Sequence, residues 1–508
     1  MKLSAEQYQP LFSAEQVARI DKEAIRCGTP GLELMTRAGQ ACFELAQKLW
    51  PRRGCIVVLA GAGNNGGDGW VVAELAKRAG LDQQLLYLKA PEALRAEAAE
   101  AATRALNAGV NARLFSADIA FEKSEQLIIV DALLGTGFGS ELKEPFRHAI
   151  DWINHQRSLG ASVLSVDLPS GLYADTGAVS SAVVNAHASL SFIGRKRGLY
   201  TADAANYCGQ RFFEPLGVAE HIVDAEHSSV LLLESVDASS LRRAPVCHKG
   251  SFGHVGVLGG AEGMTGAALL AADAALHSGA GLVSILSERA TVEAARQCLP
   301  ECMAHLVDDT QALLNLLEPI SALAVGPGLA RGEWSSKVLC AALKHASQND
   351  KALVLDADAL NLIAEQSLRL PQFSRAPIMT PHPAEAARLL NTDVNAVQAD
   401  RYRAVRELSE RYRCVVVLKG AGTLIADSDK IWVSPLSCPA LAVGGAGDVL
   451  CGLIAALLAQ GLNAVAAAKL AVCAHGLAGV KIEQQRGVLG LKAGELPELI
   501  RTILNDSL

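Results

Sequence analysis

The sequence predicts an α/β protein with two domains, and three observations lead to this prediction. The chain has 508 residues, a length typical of two or three domains. Half of the residues are hydrophobic and 19% are charged, so the chain can bury large cores. Short apolar segments of strand length alternate with longer segments rich in Ala and Leu, which is typical of parallel strands joined by helices.

The predicted strands fall into two series. The first comprises CIVVLA, QLLYL, QLIIVD and SVLSVD, between residues 55 and 167. The second begins after residue 245 and comprises HVGVLG, LVSIL, ALAVG, ALVLD, APIMT and VVVLKG. The intervening HIVDAEHSSVLLLESVDASS has mixed polarity without a clear period. We therefore place a domain boundary near residues 220–245 and predict domains at residues 1–222 and 235–508.

Composition and net charge exclude several kinds of partner and site. A net charge of −7 and a pI of about 6.0 argue against a nucleic-acid or anionic-membrane surface, so neither partner is expected. The most apolar stretch, Pro439–Leu462, is interrupted by Asp448 and several glycines, which favours a buried helix over a membrane span. The 12 cysteines form no CxxC pair, which favours free thiols over metal ligation or disulfides. Because no basic and apolar leader opens the chain, a cytoplasmic protein is expected.

A glycine-rich loop follows the first strand. In GAGNNGGDG, residues 61–69, the first, third and sixth residues have the GxGxxG spacing of dinucleotide-binding loops. Glycines there would let backbone N–H groups approach a phosphate. Two features argue against an ordinary dehydrogenase: Asp68 would repel a pyrophosphate, and the second strand ends at Lys89, not at an acidic residue.

Two more strand ends are polar and flanked by glycine. Asp131 precedes a second glycine loop, Gly135–Gly139, and Asp167 is followed by Ser170. Because the carboxyl ends of parallel strands meet at one edge of a sheet, these residues predict a ligand crevice. The alternative is that Asp131 and Asp167 only cap helices or turns.

Residues 10–220 resemble the NAD(P)H-hydrate epimerase family. The resemblance is carried by MTRAGQACFELA, AGAGNNGGDGWVVA, DALLGTGFGSEL and SVDLPSGLYADTG, in this order. It implies a Rossmann-like three-layer α/β/α domain, Asp167 as the acid/base residue, and K⁺ held by Asn65, Asp131 and Ser170. It gives no role to Lys196. The substrate-binding residues it implies are Asn64, Asn65, Gly66, Gly67, Asp68, Gly135, Thr136, Gly137, Phe138, Gly139, Ser140, Glu141 and Asp167.

The sharpest motif of the second series is LAVGGAGDVLCGLIAALLAQG, residues 441–461. Its three loop glycines, Gly444, Gly445 and Gly447, would leave N–H groups bare at a helix N-terminus, which suits a migrating phosphoryl group. Asp448 in the first helical turn could then take a proton from an attacking hydroxyl. No GxxxxGK[ST] motif occurs, which excludes a P-loop kinase. The alternative is an ordinary N-capped helix.

Two further segments fit a nucleotide site. The turn Lys419–Thr423 could hold a phosphate through its lysine and its backbone amides, although a hairpin turn with a surface lysine is an alternative. His382 lies between two prolines at the start of a helix, where a buried neutral histidine is the alternative.

Residues 240–505 resemble the NAD(P)H-hydrate dehydratases, which have a ribokinase-like α/β/α fold. KGSFGHVGVLGG, GPGL, DADALN, TPHPAE, KGAGT and CPALAVGGAGDVLCG match in order. The resemblance implies that Asp448 is the base for phosphorylation of the C6 hydroxyl of the hydrate, after which phosphate leaves. It implies Mg²⁺ and ADP, with ATP left open, and a homo-oligomer by analogy. The hydrate-binding residues it implies are Ala267, Gly328, His382 and Asp448, and the nucleotide-binding residues are Lys419, Gly420, Ala421, Gly422, Thr423 and Gly447.

Two residues depart from the dehydratase pattern: Ala446 replaces a usual Thr, and Cys438 replaces a usual Asn. Two other hypotheses compete. Hydroxymethylpyrimidine and hydroxyethylthiazole kinases share the glycine loop with its Asp, but an epimerase-like domain has no purpose there. Epimerase-like domains also occur as scaffolds in RNA-processing proteins. A scaffold role is disfavoured here because the chain has the predicted site residues Asn65, Asp131, Asp167 and Ser170.

Overall fold

The computed structural model describes residues 1–52, 54–121, 126–139 and 141–508. The chain forms two compact units, residues 10–230 and residues 231–508, and residues 1–9 group with the second. This grouping differs from the predicted domain of residues 1–222. The reason is strand pairing and a partly buried ion pair: strand β1 (Lys2–Leu3) pairs in parallel with Val230–Val236, and Lys469 Nζ lies 2.6 Å from Glu6 Oε1. Strand β2 (Gln7–Pro10) pairs with the same strand.

The first unit contains a parallel sheet. Its strands are β3 (Cys55–Ala60), β4 (Asp82–Tyr87), β5 (Ala112–Leu114), β6 (Leu127–Ala132), β7 (Ser162–Val166), β8 (Ala188–Phe192) and β9 (Gln210–Glu214). Their order is β5-β4-β3-β6-β7-β8-β9. The direction of winding therefore reverses between β3 and β6, and a crevice opens at the carboxyl ends of strands at such a point.

Helices cover both faces of this sheet. They are α1 (Ala14–Arg26), α2 (Gly31–Leu49), α3 (Asn64–Arg78), α4 (Ala96–Asn107), α5 (Glu144–Ser158), α6 (Ala204–Tyr207) and α7 (Glu220–Asp224). Along β3, Val58 and Ala60 join one hydrophobic core and Val57 and Leu59 join another, because successive side chains of a strand point to opposite faces. The predicted three-layer arrangement is confirmed.

The first glycine loop is shorter than the sequence predicted. Helix α3 begins at Asn64, so the last glycines of GAGNNGGDG are helical. Their lack of a side chain permits close packing: a Cβ at Gly66 would lie 2.1 Å from the carbonyl oxygen of Gly61, and one at Gly69 would lie 2.7 Å from Ala132 Cβ. The glycines thus bring the N-terminus of α3 against the sheet.

The second unit is built on a larger mixed sheet. Its strands, in addition to β1 and β2, are β10 (Val230–Val236), β11 (His254–Leu258), β12 (Leu282–Ser287), β13 (Met303–Leu306), β14 (Ala322–Val325), β15 (Ala352–Leu355), β16 (Ile378–Met379), β17 (Val415–Leu418), β18 (Leu424–Ala426) and β19 (Ile431–Val433). The order is β1-β10-β19-β18-β17-β16-β15-β14-β11-β12-β13. Neighbours from β13 to β17 are parallel, and β17, β18 and β19 are antiparallel. The segment without a clear period contains α7 and β10.

The helices of the second unit are α8 (Thr265–His277), α9 (Arg289–Cys298), α10 (Thr310–Leu317), α11 (Glu333–Gln348), α12 (Ala357–Glu365), α13 (Pro383–Leu390), α14 (Val394–Ala399), α15 (Arg401–Tyr412), α16 (Ala446–Ala459), α17 (Ala464–Arg486) and α18 (Leu496–Asn505). Helix α16 is almost wholly buried, as predicted for this apolar stretch. Among the described residues, α17 is long and apolar enough to cross a membrane, but most of its apolar stretch is buried inside the fold, as in a core helix.

Candidate active sites

A cavity of about 710 Å³ lies in the first unit at the carboxyl ends of β3, β6 and β7. It brings together most of the residues that the sequence predicted for substrate binding. Those that line it are Asn64, Asn65, Asp68, Gly135, Thr136, Gly137, Phe138, Glu141 and Asp167. Gly66, Gly67 and Gly139 are not among its lining residues, and Ser140 lies outside the described residues. Gly66 and Gly67 instead serve helix packing, since a Cβ at Gly67 would lie 2.5 Å from Met35 Cε.

Asp167 occupies an unusual backbone position at the end of β7. Its φ is +67°, and Leu168 N donates a 2.8 Å hydrogen bond to Val166 O across it. A bond from residue i+2 to residue i around a positive φ defines a strained γ-turn. The alternative that Asp167 only caps a helix is wrong, because its carboxylate lies in the cavity wall and contacts Lys196.

Lys196 lines the same cavity, and its role was not predicted from the sequence. It is only 2% exposed, and its Nζ donates hydrogen bonds to Asp167 Oδ1 and, at 2.8 Å, to Phe192 O. The signal that could have found it is the run of three basic residues in FIGRKRGLY, directly after an apolar strand. A lysine there must either reach solvent or find a carboxylate.

Asp68 also lines the cavity, from the first turns of α3. Burial raises the pKa of its carboxyl well above the ordinary value, the nearby Asp167 adds to this rise, and Lys196 opposes it. A raised pKa favours the uncharged form of this carboxyl, which weakens the repulsion of a pyrophosphate that the sequence suggested.

Asp131 and Ser170 form a buried polar cluster behind the cavity. Ser170 Oγ donates to Asp131 Oδ1 at 2.6 Å and accepts from Leu134 N at 2.9 Å. Burial raises the pKa of Asp131, and hydrogen bonds from Ser170 oppose the rise. Asn65 reaches the same loop, since a Cβ at Gly135 would lie 3.4 Å from Asn65 Oδ1. Among the described residues, Asn65 Nδ2 is buried and has no hydrogen-bond partner. The three predicted K⁺ ligands therefore border one loop, Leu134–Gly135.

The second unit presents its predicted residues around the N-terminus of α16. Gly445 is the N-cap with φ +93° and no side-chain cap, and an added Cβ at Gly444 would meet no atom within 4 Å. An ordinary side-chain cap is therefore excluded, and open space borders the loop. Burial raises the pKa of Asp448, in the first turn, to about 6; Asp356 adds to this and Lys419 opposes it.

Lys419 is not the surface lysine of a hairpin. Its side chain is 20% exposed, and its Nζ lies 2.8 Å from Asp356 Oδ1 and 3.9 Å from Glu385 Oε2. Burial opposes the charge of Lys419, but the two carboxylates outweigh burial and raise its pKa. A Cβ at Gly447 would lie 3.3 Å from this ammonium. Asp356 and Glu385 are site residues that the sequence analysis did not assign, although Asp356 begins the quoted motif DADALN.

His382 is exposed, so the alternative of a buried neutral histidine is wrong; its side chain is 47% accessible. Its Nδ1 accepts hydrogen bonds from Ala384 N at 3.1 Å and from Glu385 N at 3.4 Å and so caps α13. Lys419 N donates to Pro381 O at 2.9 Å, which places the turn Lys419–Thr423 beside this segment.

Ala267 and Gly328 are neighbours elsewhere at the edge of the sheet where the parallel strands end. A Cβ at Gly328 would lie 3.1 Å from Ala267 Cβ, and Ala261 N donates to Gly328 O at 2.7 Å. The structure thus brings His382 and Asp448 together around Lys419, and pairs Ala267 with Gly328 on the adjacent loops.

Comparison with protein families gives two matches. Residues 31–198 match the family described as YjeF-related protein N-terminus. Residues 255–502 match the family described as NAD(P)H-hydrate dehydratase.

Similar proteins cover either the whole chain or its second unit. A bifunctional NAD(P)H-hydrate repair enzyme of Coxiella burnetii is 39% identical over 97% of this chain and 99% of its own length. A ribokinase-like superfamily protein of Enterococcus faecalis aligns with a TM-score of 0.51 at 23% identity, over 55% of this chain and 97% of that one, and indicates the fold alone. The ADP/ATP-dependent NAD(P)H-hydrate dehydratase of Bacillus subtilis, co-crystallised with ATP and Mg²⁺, is 31% identical over 53% of this chain and 94% of its own, with a TM-score of 0.48.

Proposed function

The chain belongs to the family of bifunctional NAD(P)H-hydrate repair enzymes, and from this premise we propose how its two units divide the work. The first unit interconverts the R and S epimers of hydrated NADH and NADPH. The second unit dehydrates the S epimer with ADP and releases AMP and phosphate. The proposal rests on the position of Asp448, which is half-buried in the first turn of α16 beside the loop glycines.

Epimerisation is assigned to Asp167 in the cavity of the first unit. Exchange of the two configurations at C6 requires a proton to be taken and returned, which a positioned carboxylate can do. Two features support this role: the strained turn that holds Asp167 and its direct contact with the Lys196 ammonium. The nine lining residues named above would surround the hydrate.

The Asn65, Asp131 and Ser170 side chains are proposed to hold K⁺. A carboxylate, a hydroxyl and an amide oxygen are hard ligands suited to a hard cation. The buried amide of Asn65 supports the fit, because rotation by 180° about its last bond would place the oxygen where the unpartnered nitrogen now lies. When bound, the ion would supply positive charge behind the cavity. The residues themselves fix the loop Leu134–Gly135.

Dehydration is assigned to the α16 N-terminus. Asp448 takes the proton of the C6 hydroxyl while the hydroxyl oxygen attacks the terminal phosphorus of ADP, and AMP leaves. The N–H groups after Gly444 stabilise the charge on the migrating phosphoryl group. The C6–O bond then breaks, phosphate leaves with that oxygen, and a proton leaves the adjacent ring carbon, which restores the dihydronicotinamide. Ala267, Gly328 and His382 would contact the hydrate.

The nucleotide is proposed to bind Lys419, Gly420, Ala421, Gly422, Thr423 and Gly447. The described residues include no group of three or more His, Cys, Asp or Glu side chains that could hold a metal ion. Mg²⁺ would therefore arrive mainly on the phosphates of the nucleotide, as is usual for this ion, and would neutralise phosphate charge. We further propose a cytoplasmic homo-oligomer with small-molecule substrates and no nucleic-acid or membrane partner.

The test uses two variants and a mixture of R and S hydrates, followed by recovery of the dihydronicotinamide absorbance. With ADP and Mg²⁺ the wild type should convert the whole mixture. Asp167→Asn should stop at the fraction that was initially S, and Asp448→Asn should recover nothing while chromatography still detects epimerisation. Dehydration at a normal rate by Asp448→Asn would refute the base assignment, and a stable phosphorylated product would favour a vitamin-precursor kinase.

A further inference from the structure

The cavity of the first unit contains a buried ammonium that the mechanism above does not use. Lys196 is 2% exposed, and its Nζ is bonded to the carboxylate of Asp167 and to Phe192 O. Burial of a charged lysine is costly unless a partner compensates it. Because both partners belong to the ends of neighbouring strands in the cavity wall, the position of this charge is fixed.

The two partners are held by a pair of strained turns. At the end of β7 the γ-turn centred on Asp167 carries the carboxylate. At the end of β8, Ile193 has φ +64°, and Gly194 N donates to Phe192 O at 2.6 Å across it. A β-branched residue at such a φ is rare. Backbone strain of this kind persists only where the surroundings impose it, and it concentrates at functional sites. Both turns present an oxygen atom to Lys196.

Acidic groups surround this pair on several helices. Asp21 lies on α1 and Asp68 on α3, and Glu97 lines the cavity from α4. Burial raises the pKa of Asp21, Glu97 adds to the rise, and Lys196 opposes it. The buried thiol of Cys42 on α2 also has a raised pKa, from burial and from Asp68 and Asp167. Lys196 is therefore the cation that offsets several acidic groups at this point of the cavity.

We infer that Lys196 is a positioning residue for epimerisation: its ammonium pairs with the Asp167 carboxylate and keeps it aimed into the cavity. The inference rests on the proposed function of the first unit. Without the ammonium, the Asp167 carboxylate would lie beside Asp21 and Asp68 with no cation paired to it, and nearby negative charge disfavours a further one. The strained turns would then hold a carboxylate that has lost its partner.

The test is the pH dependence of kcat/KM for epimerisation in Lys196→Met and Lys196→Arg, with Lys22→Met on the exposed side of α1 as the matched control. In Lys196→Met we expect kcat/KM to fall by at least about 100-fold at neutral pH. The acidic limb of the profile, where kcat/KM falls as the pH decreases, should shift upward by one pH unit or more, and activity should partly recover in alkali. Lys196→Arg retains the charge and should keep the limb in its wild-type position at a reduced kcat. Lys22→Met should match the wild type.

A wild-type pH profile in folded Lys196→Met would overturn the inference. If Lys196→Met does not fold, Lys196→Arg decides, because a displaced limb in a variant that keeps the positive charge contradicts the assigned role. A merely structural lysine would change stability in both variants without moving the limb. If the wild type itself does not interconvert the epimers, the proposed function of the unit fails instead, and the two failures are thereby distinguished.

Discussion

The ammonium of Lys419 lies 2.8 Å from Oδ1 of Asp356, across 63 residues of sequence. A Cβ at Gly447 would meet the same ammonium at 3.3 Å, so this ion pair is adjacent to the N-terminus of α16. Lys419 therefore already has a carboxylate partner before a nucleotide arrives. An incoming phosphate can share Lys419 with Asp356.

Replacement of Lys419 by Met should destabilise the second unit and abolish dehydration. Asp356 is 1% exposed and would lose its cation while Glu385 remains close by. Removal of one partner of a buried ion pair costs about 3–5 kcal/mol, and the partial exposure of Lys419 favours the lower end. Urea unfolding measures the loss. Lys419→Met combined with Asp356→Asn should regain part of the stability but no activity, and exposed Lys430→Met serves as the control. Equal stability of single and double variants would contradict the pairing.

Dehydration should lose activity as the pH falls through about 6. Burial raises the pKa of Asp448 to about 6, and Asp356 adds to the rise. A base must be unprotonated, so activity is complete above this pKa and falls about tenfold per pH unit below it. The measurement is kcat/KM for the S epimer with saturating ADP between pH 4.5 and 8. The exposed Asp506→Asn should give the same curve, whereas a flat wild-type profile down to pH 5 rules out Asp448 as the base.

Ser170→Ala should slow epimerisation and remove its response to K⁺. The substitution deletes the hydroxyl that donates to Asp131 at 2.6 Å and accepts from Leu134 N. Epimerisation rates measured in KCl and in a tetramethylammonium salt of equal ionic strength separate a specific ion from screening. Ser165→Ala is the matched control, since Ser165 Oγ also donates to Asp131, at 2.9 Å, but is no proposed ligand. An equal loss of K⁺ response in both variants would mean that Asp131 alone matters.

Gly452→Ala should destabilise the protein although alanine favours helices. In the middle of α16 an added Cβ would lie 1.9 Å from the carbonyl oxygen of Ala271 on α8. Overpacking of this kind costs about 1–3 kcal/mol or more, which exceeds the helix-propensity gain of about 1 kcal/mol. Gly266→Ala, on α8 with no atom within 4 Å, should instead be neutral or stabilising. Thermal unfolding compares the two, and similar midpoints would show that α8 and α16 are packed less closely.

The fold was predictable because its signals are local. Alternating apolar and helical segments located the strands from CIVVLA to VVVLKG. Strands with mixed polarity, such as β9 and β13, gave no such signal and were missed. The length of the first loop was also misjudged, since only the approach of Gly66 to Gly61 explains why glycines continue into α3.

Some residues of the candidate sites were likewise predictable from the local sequence, and others were not. Residues at strand ends and helix starts, such as Asp167 and Asp448, were found because parallel strands bring their carboxyl ends to one edge whatever the details of packing. The two buried lysine pairs and the grouping of residues 1–9 with the second unit depended on the tertiary structure. Asp167 and Lys196 are 29 residues apart, and Asp356 and Lys419 are 63 apart. Sequence periodicity reports which face of an element is buried, but the burial of a charge is tolerated only where the folded chain supplies its partner, and the fold alone determines that partner.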